Sequence, residues 1–268
     1  MKIHGTAKGG ALSTKDFGVA FGGAAAAGFN VSKLVTYYKF DESVGDLLNK
    51  AEDAGSSDSN DVDMTNTNVT QNVTGLIDKA YDYDAADDIS REGAASSDFE
   101  FMYNTTSGVF SFIGWVKPNA TDESGSQIIF DNSNVENSTG CGLTITGGSG
   151  NRKLNWFLSK SNNTDDTTAM VGGSYPNTTD WRMIFVSWNS SNGAVQMSVD
   201  NGTKTTNTTI ITGISGTSAL PMSLGAARAT PIYEINSIFD EFSFWNRVLT
   251  DNEVKELFND GYGLAITG

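Results

Sequence analysis

The chain has 268 residues, 17 basic against 32 acidic, for a net charge of −15 and an isoelectric point near 4.3. A charge of that sign repels nucleic-acid phosphate and anionic membrane surfaces, and no basic patch offsets it locally, so nucleic acid is excluded as a partner. One cysteine and one histidine, His4 beside the terminus, exclude an intrachain disulfide, a His/Cys zinc cage and a histidine-based catalytic triad.

The neutral polar load is high: 24 Asn, 28 Ser and 28 Thr stand beside 29 Gly and only 4 Pro. Small hydroxyl and amide side chains favour turns and strand surfaces and disfavour helix interiors, so the composition predicts a mostly β chain. Residues 1–33, rich in Gly, Ala and Lys, form an N-terminal arm that takes its structure from neighbours; a plain linker is the other reading. The apolar run 17–29 imitates the core of a signal peptide, but its glycines and the preceding Asp16 weaken the match. No run approaches the ~20 apolar residues of a membrane span.

From Leu34 the texture changes. Residues 34–40 are a strand candidate, followed by an acidic loop from Asp41 to Asp63 interrupted at Leu47 and Leu48. Residues 68–74 are β-prone, and 80–84 alternate aromatic with acid, the pattern of a half-buried strand. Short strands are predicted over 108–117, 127–130, 141–146 and 153–158, the last two joined by a glycine-rich hairpin at 147–150. Residues 181–188 are apolar at both parities, as in a central strand covered on both faces. Turns at 189–193 and 200–202 then fold the chain into a three-stranded meander. Strands over 220–225 and 237–245 precede one helix. Thr250 with Glu253 forms a capping box, Leu249 and Val254 staple across it, and Gly261 is placed to end it. About a dozen strands at short spacing with a single terminal helix describe an all-β, two-sheet antiparallel sandwich over 34–262, with a short tail at 263–268.

The order of these segments resembles the laminin-G-like branch of the concanavalin-A-like lectin/glucanase jelly rolls. The matching pieces are Tyr37-Tyr-Lys-Phe-Asp-Glu-Ser43, Phe110-Ser-Phe-Ile-Gly-Trp-Val-Lys117, Gln127-Ile-Ile-Phe-Asp131, Trp181-Arg-Met-Ile-Phe-Val-Ser-Trp188 leading to Val199-Asp-Asn-Gly202, and Ile238-Phe-Asp-Glu-Phe-Ser-Phe-Trp-Asn-Arg-Val-Leu-Thr250. The resemblance implies two curved antiparallel sheets packed face to face, with rim loops available for a ligand.

Hydrolases of that superfamily set carboxylates on one strand face in an E-x-D-x-x-E or E-x-D-x-E pattern, which is absent here. Asp240 and Glu241 are adjacent, and on a regular strand they point to opposite faces; Asp82 and Asp84 share a face but read as solvated surface acids. The chain is therefore expected not to be an enzyme. The resemblance also implies a structural Ca²⁺, with Asp53, Asp58, Asn60 and Asp61 in the acidic loop and Asp240 in the final strand as ligands; a merely solvated loop is the competing reading. Trp115, Trp156, Trp188 and Trp245 lie within apolar strands and belong to the core, as does Cys141, which leaves Trp181 and Tyr175 as candidates to stack on a sugar.

Eleven N-x-[ST] sequons occur, at Asn30, Asn68, Asn72, Asn104, Asn119, Asn137, Asn162, Asn177, Asn189, Asn201 and Asn207, where composition predicts about five. They mark either a glycosylated surface or compositional bias in loops. Residues 3–21 loosely resemble leading segments of virion structural proteins of marine tailed viruses. Two functions follow from these readings. One is a non-enzymatic attachment protein on a virion surface, anchored to a capsid or other virion protein by the arm and possessing the option of self-association. The other is an extracellular carbohydrate-binding module that captures host glycans.

Overall fold

A computed structural model of the protein describes residues 29–121, 124–133, 139–148, 150–159, 171–208, 212–218, 220–227 and 231–267. Among them are fifteen strands: β1 Leu34–Tyr38, β2 Met64–Thr67, β3 Thr70–Thr74, β4 Lys79–Asp84, β5 Ile89–Glu92, β6 Val109–Pro118, β7 Ser126–Asp131, β8 Gly140–Thr146, β9 Lys153–Ser159, β10 Val171–Ser174, β11 Arg182–Asn189, β12 Ala194–Val199, β13 Thr205–Asn207, β14 Ser223–Leu224 and β15 Asn236–Trp245. One helix, α1 Asp251–Phe258, follows. The strands make two antiparallel sheets. Eight lie in the order β13-β12-β11-β6-β15-β4-β3 with β1 also on β15, and seven in the order β10-β9-β8-β7-β14-β5-β2. The expected jelly-roll sandwich is the observed fold; β2, β5 and β10 are strands that the sequence pattern did not single out.

Alternation along the central strands builds two cores. Phe110, Phe112, Ile184, Val186, Phe239, Phe242 and Phe244 face the second sheet, where Phe130, Leu143 and Trp156 meet them. Met183, Phe185, Ile113, Trp115 and Trp245 face the other way and form an outer core. The double apolar parity of β11 thus reflects two buried faces. Gly114 is needed between them, because a Cβ there would lie 2.4 Å from the Phe242 ring.

The outer core is closed by α1, by the segment that begins at Phe29 and by the segment that follows the helix. Phe29 meets Trp245 edge-on at 5.7 Å, Phe258 stacks on Trp115 at 5.9 Å, and Ile266 is buried. Arg247 locks this layer: it stacks over Trp245, pairs with Glu253, and donates to the carbonyls of Asn30 and Ser32. Packing therefore extends past 34–262 at both ends, since residues 29–33 and 264–266 bury apolar side chains that the domain needs. The capping box at Thr250 and Glu253 is present; the helix ends earlier than expected, at Asn259, whose left-handed backbone precedes Gly261.

β15 does not run regularly. Asp240 opposes Trp115 and Ser243 opposes Ile113, so Glu241 and Phe242 together face only Gly114. Glu241 adopts φ +55, unusual for a residue other than glycine. The bulge keeps Phe239 and Phe242 both in the inner core while placing Asp240 and Glu241 on the same outer face. It is also where β15 changes neighbour: β4 pairs with residues 236–239 and β1 with residues 242–245.

Phe242 meets Phe40, Phe112 and Phe239 at ring separations of 5.1, 5.1 and 4.7 Å. Phe242→Ala is expected to destabilise the fold by about 3–5 kcal/mol in a urea titration, since a buried aromatic is lost and a cavity left; a loss below about 1 kcal/mol would contradict this placement.

Candidate functional site

At one margin of the sandwich the edge strand β10 lies against the margin formed by β12 and β13, and between them opens a cleft of about 380 Å³. Leu154, Met197 and Val199 give it an apolar lining, Ser174, Thr203 and Thr205 contribute hydroxyl-bearing side chains, and Gly173 and Gly202 contribute bare backbone. One lining residue is ionisable, Asp200. It starts the Asp200-Asn201-Gly202 turn, with left-handed backbone at Asp200 and Asn201. Asp200 Oδ2 pairs with Arg182 Nη1 at 2.6 Å and Oδ1 accepts the Met183 N–H at 3.0 Å, so both of its oxygens are engaged.

The two aromatic residues expected to stack a sugar are divided between different layers. Tyr175 adjoins the cleft residues Ser174 and Pro176 in sequence, but its ring is buried in the inner core beneath the Arg152 guanidinium at 5.3 Å. Burial pushes its phenol well up, so the group is a neutral hydroxyl. Trp181 packs half-buried against the outer core. They stand at the two ends of the connection from β10 to β11, one in each core, and make no common platform. What the sequence reading missed is the glycine-bearing strand β10. No strand is predicted over 171–174, where Gly172 and Gly173 stand, and a glycine inside a strand can mark close approach by a ligand.

The acids expected to hold calcium do not assemble either. Asp58 takes the Lys33 backbone N–H at 3.0 Å and its ammonium at 2.8 Å, and Lys33 holds its carboxyl below the usual range. Asn60 Oδ1 accepts from Thr36 and Asn49, Asp61 accepts from Ser59, and Asp53 is 74 % exposed beside Lys50. Asp240 is buried, with Oδ2 accepting the N–H groups of Leu76 and Ile77 at 2.8 and 2.9 Å. Among the described residues no three Asp, Glu, His or Cys side chains come together as a metal site. The donor set implied by the resemblance does not fit a bound ion, because its members are dispersed over separate contacts instead of converging on one point.

Asp240 and Glu241 nonetheless form a carboxylate pair, against the expectation of opposite faces, and the bulge is the reason. The Tyr37 hydroxyl donates to Glu241 Oε2 and accepts the Ile266 N–H at 3.0 Å, so Glu241 ties β1 to the C-terminal segment while Asp240 ties down the β3–β4 turn. Asp240 Oδ1 and Glu241 Oε1 are buried without a hydrogen-bond partner. Burial is the main cause that holds Asp240 well above the usual carboxylate range and lifts Glu241 to about 8, with the charge of Glu241 adding to the shift of Asp240. A hollow of about 270 Å³ lies over Tyr37, but its walls are the self-satisfied pairs Lys39–Asp41 and Lys50–Asp53.

Of the sequon asparagines, Asn30, Asn68, Asn72, Asn119 and Asn177 are exposed and Asn104, Asn189, Asn201 and Asn207 half-buried; Asn137 and Asn162 lie outside the described residues. The Asn119 amide donates to Asp82 and Asn236, and that of Asn104 to Glu100. Residues 1–28, which include the segment resembling virion proteins, are likewise outside. No helix among the described residues is long and apolar enough to cross a membrane.

Several solved structures share this architecture. The binding domain of botulinum neurotoxin serotype D superposes with a TM-score of 0.62 at 12 % identity. The binding domain of botulinum neurotoxin DC gives 0.61 at 17 % identity in complex with SialylT, and 0.62 at 16 % in complex with rat synaptotagmin II. Each match covers 85 % of this chain and 51 % of the other, so the chain spans about half their length, and at these identities the likeness is one of fold. No curated protein matches the sequence. The laminin-G-type model of the concanavalin A-like lectin/glucanases superfamily matches residues 92–255, more than half of the chain and nearly all of its central strands, and the chain belongs to that superfamily.

Proposed function

We propose that this chain is a non-catalytic attachment domain whose edge cleft binds a surface carbohydrate, displayed on a virion or another extracellular surface. The observation that carries this reading is Gly173. Glycine weakens a strand, and its φ here is not in the left-handed region; an added Cβ would meet only Thr205 Oγ1, at 3.8 Å. Neither backbone nor packing requires glycine, and the volume a side chain would take is that of the cleft. An apolar floor with hydroxyls around it suits a sugar ring, whose C–H face is apolar and whose edge is a ring of hydroxyls. That the related folds are binding domains, one of them in complex with SialylT, supports a recognition role.

The absence of catalysis in this proposal follows from the placement of the acids. A glycosidase needs two carboxyl groups about 5–10 Å apart across the sugar bond. Asp200 is the one acid lining the cleft, and Asp240 with Glu241 is closed off beneath Tyr37 and Ile266. In the same reading residues 1–28 are the anchor to a capsid or other surface protein, and the Arg247 contacts to Asn30 and Ser32 fix where that anchor leaves the domain.

Gly173→Val is expected to leave the melting temperature unchanged or slightly raised, because a β-branched residue suits a strand, while lowering glycan-array binding at least ten-fold. Undiminished binding by the variant, or no sugar-dependent binding by the unaltered protein, would contradict the proposal. Because Asp58 is held by Lys33, Asn60 by Thr36 and Asn49, and Asp61 by Ser59, EDTA is expected to leave the melting temperature unchanged; a fall of several degrees would restore the calcium expectation.

A further inference from the structure

Resting on the reading of the cleft as a glycan site, we infer that it takes an acidic saccharide, whose carboxylate or sulfate is received beside Ser174 by Lys153, with the unneutralised Arg152 guanidinium behind it. The observation that carries this is a buried cation without an anion. Arg152 is 3 % exposed, its Nη2 donates to the neutral Gln127 Oε1 at 2.7 Å, and its guanidinium lies over the Tyr175 ring. Its Nη1 is buried with no acceptor, and among the described residues no carboxylate pairs with it. A guanidinium keeps its proton, and a buried charge is costly until an opposite charge answers it.

The pairing of β9 with β10 brings this cation to the cleft. The Arg152 carbonyl accepts the Tyr175 N–H at 3.0 Å, Lys153 opposes Ser174, and Leu154 opposes Gly173. Leu154, Gly173, Ser174 and Pro176 all line the cleft, so Arg152 and Lys153 stand at its wall. Lys153 is exposed and in no ion pair among the described residues, and the residues opposite it on both adjoining strands, Ser174 and Thr146, are neutral. Residues directly opposite on paired strands share a face, so the Lys153 ammonium reaches a group resting on Ser174. The other charges nearby are largely matched: Arg182 is shared between Asp200 and Asp180, and Lys204 pairs with Asp251. Two unpaired cations therefore stand against one surplus acid. The net charge of −15 belongs to the chain as a whole, and exposed charges more than about 10 Å away are largely screened at 0.1 M salt.

The test uses the full chain on an array in which each neutral oligosaccharide is printed beside its sialylated, uronic-acid and sulfated counterparts. Acidic members are expected to bind about ten-fold more strongly or better, and the counterpart bound best tells carboxylate from sulfate. Lys153→Gln is expected to lower acidic binding about ten-fold, Lys153→Arg to keep it within about three-fold, and Lys255→Gln, which removes another exposed cation from α1, to leave it unchanged. Arg152→Met removes the buried charge and keeps an apolar stem, so its melting temperature is expected unchanged or raised while acidic binding falls about ten-fold. Neutral members bound as well as acidic ones by the unaltered chain, acidic binding undiminished in Lys153→Gln, or equal losses in Lys153→Gln and Lys255→Gln would overturn the inference while leaving the carbohydrate-binding reading intact. Undiminished binding by Arg152→Met, or a melting temperature several degrees lower, would overturn the part assigned to Arg152. Binding to no member at all would overturn both the inference and the reading it rests on.

Discussion

One irregularity in one strand sets the terms for this molecule. β15 is flanked by β6 along its length and by β4 and then β1 on its other side, and the change of neighbour falls at the bulge through Glu241. The extra residue lets Phe239, Phe242 and Phe244 all face the inner core while two consecutive acids turn outward together. Asp240 then secures the β3–β4 turn through two backbone amides, and Glu241 secures β1 and the C-terminal segment through the Tyr37 hydroxyl. Two buried carboxylates side by side are tolerable when they stay protonated, because burial of an unpaired charge is far costlier than burial of a neutral acid. The outer layer, including the packing of Phe29 on Trp245, is built on that neutrality.

Much of the fold was legible in the sequence because the signals were local and repeated. Turn residues at 147–150, 189–193 and 200–202 bracket runs of period two, and the capping box at Thr250 and Glu253 is a complete short-range motif. The double parity of β11 correctly announced two buried faces. Other features escaped because they depend on distant partners. The alternation rule places Asp240 and Glu241 on opposite faces, and a bulge breaks it with no marker such as glycine in the strand itself. Strand β10 is glycine-rich, so its composition suggests a loop, and its pairing to β9 is a tertiary fact.

The candidate site was legible only in outline. Tyr175 and Trp181, the residues expected to stack on a sugar, lie in the connection from β10 to β11, which buries Tyr175 in the inner core and packs Trp181 against the outer one. The cleft is made instead from a residue without a side chain and from threonines, residue types too common here to stand out individually. Its position fits the division of labour in the sandwich. The bulged strand and the acid pair hold the middle of the large sheet, whereas the cleft lies at the margin where the two sheets approach. The cleft is thereby set apart from the acid pair and from the Arg247 contacts, which lie in the outer layer.

The claim that the outer layer rests on a protonated carboxylate pair has a direct test in the pH dependence of stability. Groups whose folded-state affinity for protons is raised bind more protons folded than unfolded, so the stability they confer is present below the unfolded carboxylate range and is lost as pH rises toward the folded value, about 8 for Glu241. Asp240, Glu92 and Asp88, lifted mainly by burial, act in the same direction. Melting the unaltered chain and Glu241→Gln at intervals from pH 5 to pH 8.5 should show stability falling with pH in the former and a distinctly shallower fall in the latter, with Tyr37 still able to donate to the amide oxygen. A melting temperature that rises across this window, or parallel curves for the two proteins, would contradict the account.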